Sequence, residues 1–229
     1  MKCRTLVLLS GRGSNLEALL TRIRCWQIPA TIVGVISNRP DAGGLAIARG
    51  AGITSACIDH RQHADRSGFE ATLATTIDAL APDLILLAGF MRVLTPAFVE
   101  RYSPRLLNIH PSLLPAYRGL DTHARALAAG DREHGASVHV VVPELDAGPV
   151  IAQVIVPIRS DDDAPRLAAR VQRGEHLLYP LVVQWYASGR LSLDSVQVSL
   201  DRQSLPENGC RFRLVMDPES VAGDRLEEA

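Results

Sequence analysis

The 229-residue sequence is short of several features, and each shortage removes a class of protein. Cysteine is scarce: Cys3, Cys25, Cys57 and Cys210 are scattered, with no C-x-x-C and no metal-ligand spacing. That pattern excludes a disulfide framework and a cysteine-based zinc site, and the four read as reduced core thiols. Charge of one sign is not in excess. The formal net charge is −1 and the pI about 6.7, so no polyanion is favoured as a general partner and nucleic acid is not an expected ligand. No apolar run is long enough to span a bilayer. "TLVLL" after Lys2 and Arg4 imitates a secretory signal only briefly, because "SGRGSN" comes next with no cleavage-site pattern. The expected location is the cytoplasm.

Nucleotide fingerprints are incomplete as well. In "SGRGSNL" (10–16) the G-x-G-x-x-G pattern fails at its third glycine, Ser37 and Asn38 end the second apolar run without an acidic residue, and there is no Walker lysine. A single phosphate suits this stretch better than a dinucleotide.

What is present is a core. With 47% of residues apolar, the chain can bury one good core and is short for two, so one α/β domain is expected. Apolar strand-like runs at 5–9, 31–37, 54–58, 83–89 and 105–110 alternate with helical spacing at 15–23, 42–52, 68–80 and 96–102. Such alternation predicts a Rossmann-like, mostly parallel twisted sheet with helices on both faces. After residue 120 a helix (121–130) precedes two apolar runs, 136–142 and 149–158, expected to pair antiparallel and extend the sheet. A long helix over 163–187 comes after "SDDD", whose Asp triplet reads as a helix N-terminus rather than a metal site. The tail from about 216 has the composition of a disordered end.

Open parallel sheets bind ligands at the carboxyl ends of their strands, and three unusual stretches fall there. In "SGRGSNL", Gly11 and Gly13 permit close approach of the backbone, and the amides around Gly13, Ser14 and Asn15 would point at an anion. A tight turn capped by Ser14 or Asn15 accounts for the same residues. The loop "AGFMRVL" (88–94) sets Phe90, Met91, Val93 and Leu94 around one cation, Arg92, which suits a flat, partly apolar ligand or simply covers the core edge. The third stretch is "LLNIHPSLLPAYRG" (106–119). Strand alternation puts Asn108 and His110 on one side, while Pro111 and Pro115 stiffen the loop beyond the strand. An amide that donates to a developing oxyanion and an imidazole that moves protons are acyl-transfer equipment. No G-x-S-x-G supplies a nucleophile, so the attacking group would belong to a substrate. A carboxylate would complete the set: Asp146 in "ELDAGPVI" is the leading candidate, with Glu144 and Asp121 as competitors.

Taken in order, "SGRGSNL", "LAGFMRVL", "LLNIHPSLLPAYRG", "HGASVHVV", "ELDAGPVI" and "RVQRGEHLLYPLVV" closely resemble the phosphoribosylglycinamide formyltransferases, over about residues 4–192. The resemblance implies transfer of a formyl group from 10-formyltetrahydrofolate to the amino group of glycinamide ribonucleotide in purine synthesis. It implies that Asn108 and His110 stabilise the oxyanion, and that Asp146 supports His110 and relays a proton through water. The ribonucleotide phosphate would lie on Gly13, Ser14 and Asn15, with Pro111, Gln172 and Glu175 as further substrate-binding positions. Folate would sit between the 88–94 and 142–148 loops, against Phe90, Met91, Arg92, Val93, Leu94, Asn108, Glu144, Leu145 and Asp146, with Arg66 toward its glutamate tail. No metal is implied, and the family includes monomers and homodimers.

Residues 1–215 are expected to form one formyltransferase domain, a phosphate-binding half at about 1–105 and a catalytic, folate-binding half at about 106–192, with 216–229 as the tail that composition marks as disordered. Arg118 and Asp121 depart from what many members carry at those places. Methionyl-tRNA formyltransferase and formyltetrahydrofolate deformylase are related alternatives. The first normally adds a C-terminal nucleic-acid-binding domain and the second an N-terminal regulatory one, and this chain is expected to carry neither. A catalytically silent ligand-binding homologue is the alternative from another class.

Overall fold

Runs of β-branched residues separated by helical spacing can bury both of their faces only in a sheet covered on two sides. That is the arrangement in the computed structural model, which describes residues 1–193, 197–217, 220 and 223–229. The chain runs β1 (Cys3–Leu9), α1 (Ser14–Cys25), β2 (Ala30–Ser37), α2 (Gly43–Gly50), β3 (Ser55–Cys57), α3 (Arg66–Leu80), β4 (Leu84–Leu87), α4 (Pro96–Tyr102) and β5 (Leu106–His110). These five strands are parallel, in the order β3-β2-β1-β4-β5. Alternation divides their side chains between two cores. Val7, Leu9, Leu84, Leu86, Leu107 and Ile109 join α1 and α2 on one face, whereas Leu6, Leu8, Ile85, Leu87 and Leu106 meet Phe69, Leu73 and Ile77 of α3 and Phe98 and Tyr102 of α4 on the other.

Beyond β5 come α5 (Thr122–Ala129), β6 (Glu133–Val140), β7 (Val150–Pro157) and α6 (Ala164–Ala187). β6 is antiparallel to both β5 and β7, as expected of the two later apolar runs. α6 lies on the α1 side, contributing Leu167, Val171, Leu178 and Val182 to that core. Asp163 caps it by accepting from the Arg166 N–H at 2.8 Å, and neighbouring Asp162 forms a buried ion pair with Arg170. The Asp triplet thus does helix-end work.

The rest of the chain was not legible as structure. β8 (Leu191–Leu193), β9 (Val198–Leu200) and β10 (Gln203–Ser204) form a small antiparallel sheet. β11 (Cys210–Val215) then adds to the main sheet parallel to β7, and β12 (Arg225–Glu228) pairs antiparallel with β11. The end expected to be disordered therefore holds an edge strand. It is anchored by Asp224, whose carboxylate is buried and accepts from Arg173 Nε at 2.6 Å. Residues 218, 219, 221 and 222 of that expected tail lie outside the described residues. The cysteines are free, but none is buried: Cys25 and Cys57 are exposed because they end α1 and edge strand β3. Among the described residues no helix is long and apolar enough to cross a membrane.

Candidate active site

Three strand ends, those of β1, β4 and β5, open on one edge of the sheet, where connections leave in different directions and a crevice forms. On β5, Asn108 and His110 face away from buried Ile109. Antiparallel register sets His139 of β6 opposite Asn108, and Ser137 opposite His110. His139 Nδ1 lies 3.0 Å from the Val140 carbonyl, which can only accept, so its Nε2 is the acceptor for the Asn108 amide at 3.1 Å. Burial pushes the His139 pKa down to about 4, which keeps the ring neutral and that acceptor in place. The second Asn108 N–H remains for another partner.

His110 is fixed in the same way from the other side. Its Nε2 lies 2.9 Å from the Tyr117 carbonyl, so Nε2 carries the hydrogen and Nδ1 faces Asp146 Oδ2 at 3.4 Å. That oxygen also accepts from the Gly119 N–H at 2.9 Å, and Asp146 Oδ1 stands 3.7 Å from His139 Nε2. One carboxylate, 9% exposed, thus lies between two imidazoles. Its backbone is left-handed at φ 49°, and two residues on only glycine fits, because a Cβ on Gly148 would stand 1.8 Å from the Val140 carbonyl oxygen. The close turn carries Asp146 over the end of β5. Of the three carboxylates considered, Asp146 reaches His110; Glu144 pairs instead with Arg118 at 2.7 Å, and Asp121 is exposed at the start of α5.

A cleft of about 370 Å³ opens on the β1 side of this set. Gly13 begins α1 with φ +88° and no side-chain cap, so the amides of the first helical turn are left for a ligand. A Cβ on Gly13 would stand 2.6 Å from Gly44 Cα, so glycine is also what lets this turn pack against α2. Gln172 of α6 donates to Ser14 Oγ at 3.1 Å and accepts from Arg12 at 3.3 Å. Glu175, one turn on, accepts from Asn15 Nδ2 at 2.9 Å; burial pushes its carboxyl pKa up, opposed by that hydrogen bond. Asn15 Oδ1 is buried without a partner, an acceptor left for a ligand's donor.

A narrower cavity of about 100 Å³ lies on the β6 side. Leu87, Phe90, Val93, Leu94, Val141 and Leu145 form its apolar walls, and Asn108, His139 and Asp146 its polar end. Arg92 also lines it. Apolar walls with a few convergent polar groups suit a flat organic ligand.

The structure thus gathers Asn108, His110 and Asp146 at one point. Gly13, Ser14, Asn15, Gln172 and Glu175 line the wider cleft, and Phe90, Arg92, Val93, Leu94 and Leu145 the narrower one. Met91, expected with the folate group, lines the wider cleft, where its N–H donates to Ser10 Oγ at the end of β1 at 2.8 Å. Glu144 points to Arg118 at the rim. Pro111 braces α5 through its carbonyl, which accepts from Thr122 Oγ1 at 2.6 Å. Arg66 stands exposed at the start of α3, away from both linings. Sequence reasoning missed Arg12 and Arg39 in the wider cleft, and His139. Strand alternation in "HGASVHVV" was the signal for His139, but it needed the register with β5. Among the described residues no group of three or more His, Cys, Asp or Glu could hold a metal ion.

Comparison with known proteins gives the same outline. Residues 3–183 match the family model described as formyl transferase. The phosphoribosylglycinamide formyltransferase of Escherichia coli is 50% identical over 203 residues, 89% of this chain and 96% of that protein. The same-named protein of Haemophilus influenzae is 42% identical over 203 residues, again 89% and 96%. A solved phosphoribosylglycinamide formyltransferase from Coxiella burnetii superposes with a TM-score of 0.88 at 48% identity, covering 92% of this chain and 99% of that one. On sequence and on fold, the chain belongs to the formyl transferase family.

Proposed function

We propose that this protein transfers the formyl group of 10-formyltetrahydrofolate to the amino group of glycinamide ribonucleotide, giving formylglycinamide ribonucleotide and tetrahydrofolate, as a cytoplasmic enzyme of purine biosynthesis. The observation that carries the reading is an apolar cavity that ends on Asn108 and Asp146, with His110 3.4 Å from that carboxylate, beside a polar cleft on the other side of the 87–91 segment. The shared name of the close relatives supports the same acceptor, and so does the match over 96% of their length.

In this reading the wider cleft takes the ribonucleotide, with its phosphate on the free amides after Gly13 and Arg12 as a nearby cation. Asn15, Gln172 and Glu175 receive the sugar and glycinamide. The apolar cavity takes the pteridine end of the folate, whose part is to supply the formyl group. Asn108 is held by neutral His139 with one amide hydrogen free, and directs that donor at the formyl oxygen as it gains charge. His110 sits beside Asp146, which lets a proton arriving at Nδ1 be shared with the carboxylate. Attack by a substrate amine requires no protein nucleophile. Residues 1–215 act as one unit, with α6 of the second half contributing Gln172 and Glu175 to the phosphate side of the first.

Purified protein is to be assayed for folate product by absorbance, with and without glycinamide ribonucleotide. Product that depends on the ribonucleotide is expected. Product without it would assign the chemistry to water as acceptor, and none in either case would leave a silent binding protein.

A further inference from the structure

Behind the His110 ring lies a row of polar side chains that the mechanism above does not use. His110, Ser137 and Gln153 are direct cross-strand neighbours on β5, β6 and β7, and the last two are buried at 0% and 2% exposure. Buried polar groups in a sheet must find partners. These find theirs in the loop that crosses above them, residues 111–118. Gln153 Nε2 donates to the Leu114 carbonyl at 2.8 Å and to Ser137 Oγ at 3.0 Å. Ser137 Oγ accepts from the Leu114 N–H at 3.0 Å and donates to the Ser112 carbonyl at 2.6 Å. Both amide hydrogens of Gln153, and the one donor and two acceptor sites of Ser137, are therefore engaged. Ser112 Oγ extends the set by donating to the Ala116 carbonyl at 2.6 Å. The next residue is Tyr117, whose carbonyl takes the His110 Nε2 hydrogen.

We propose that Gln153 and Ser137 are positioning residues that hold the 112–117 backbone so that the Tyr117 carbonyl fixes His110 in its Nε2–H tautomer, with Nδ1 aimed at Asp146. The proposal rests on the functional reading only in taking His110 as catalytic; the tautomer itself is a property of the free protein. Neither residue lines the two clefts, so their loss leaves substrate contacts in place and acts through the ring. With the loop released, the Tyr117 carbonyl moves off and His110 is free to put its hydrogen on Nδ1 and donate to Asp146.

The test uses full-length protein with 15N-labelled histidine. In the unliganded wild type near pH 8 the His110 resonances, assigned by comparison with His110→Gln, are expected to report Nε2–H; an Nδ1–H ring there overturns the proposal. In Gln153→Met, which keeps the volume and removes both donors, the ring is expected to shift toward Nδ1–H or to a tautomer mixture. Turnover is expected to fall about 10- to 100-fold with the ribonucleotide KM within about twofold of wild type. A folded Gln153→Met with a wild-type ring spectrum and turnover overturns it. If Gln153→Met does not fold, Ser137→Ala is read by the same two measurements and the same criteria. Wild-type protein without ribonucleotide-dependent transfer would sink the functional reading, while the 15N spectra would still decide the tautomer.

Discussion

The two clefts on either side of the 87–91 segment are built from opposite materials. On the β6 side the walls are core residues continued outward: Phe90 and Leu94 are buried and belong to the same cluster as Phe69 and Tyr102. On the β1 side the lining is a glycine turn, uncapped amides and a bridge from Arg12 through Gln172 to Ser14. The first cleft is shaped by packing, so its binding and the stability of the fold are coupled. The second is shaped by hydrogen bonds and charge at a surface, so binding there can change while the fold does not.

The largest effect belongs to the polar end of the narrower cavity, where Asn108, His139 and Asp146 come together. Asn108→Ala is expected to lower kcat by about 10²- to 10³-fold, as removal of one oxyanion donor does elsewhere, with both KM values nearly unchanged. A loss confined to KM would make Asn108 a binding residue of that cavity rather than an oxyanion donor. On the packed side, Phe90→Ala is expected to cost about 3 kcal/mol of stability and to raise the folate KM at the same time. Urea denaturation and steady-state kinetics on the same sample check whether the two move together. pH sharpens the same point. Burial holds His134 and His139 down at about 4, while a histidine in the unfolded chain protonates near 6.5. Between those values the unfolded state binds more protons, so this contribution is complete above about 6.5 and is lost as pH falls toward about 4. Thermal melts should show Tm falling by several degrees across that window, and His139→Asn should flatten part of the slope.

The surface side should behave differently. Asn15→Ala is expected to raise the ribonucleotide KM by about tenfold, the worth of a hydrogen bond or two, with little change in folate KM. Equal effects on both substrates would count against the phosphate-side assignment. Rising salt should weaken the ribonucleotide KM more than the folate KM, because the cations of the wider cleft, Arg12 and Arg39, are exposed. Smallest of all is Arg118→Ala. It breaks an exposed pair with Glu144 that ties the two loops flanking Asp146, and should cost under about 1 kcal/mol, or a few-fold in kcat at most.

Legibility in the sequence had the same division. Strands β1, β2, β4 and β5 announced themselves because burial on both faces demands unbroken apolar runs such as "LILL". Asn108 and His110 were readable from alternation, and Gly13 from a turn that only glycine can make beside Gly44. β12 stayed hidden because an edge strand such as "RLEE" carries no periodic apolar signal, and the short alternation of β11, "CRFRLV", gains a place in the sheet only through its pairing with β7; what holds that end is the ion pair of Asp224 with Arg173, residues far apart in sequence. His139, Ser137 and Gln153 stayed hidden for a related reason. Each looks like a stray polar residue in a strand until register sets it beside Asn108 or His110. Pairing across strands is long-range information that no local pattern contains.

The central claim is that Asp146, at the polar end of the narrower cavity, serves chemistry rather than ligand binding. Asp146→Asn keeps the shape and the Gly119 contact while removing the charge between the two imidazoles. The direct measurement is single-turnover formyl transfer by this variant with both substrates saturating, alongside calorimetric titration of each ligand. The account predicts unchanged affinities and a rate lower by about 10²- to 10⁴-fold. A wild-type single-turnover rate, or a rate restored by higher concentrations of either substrate, would contradict it.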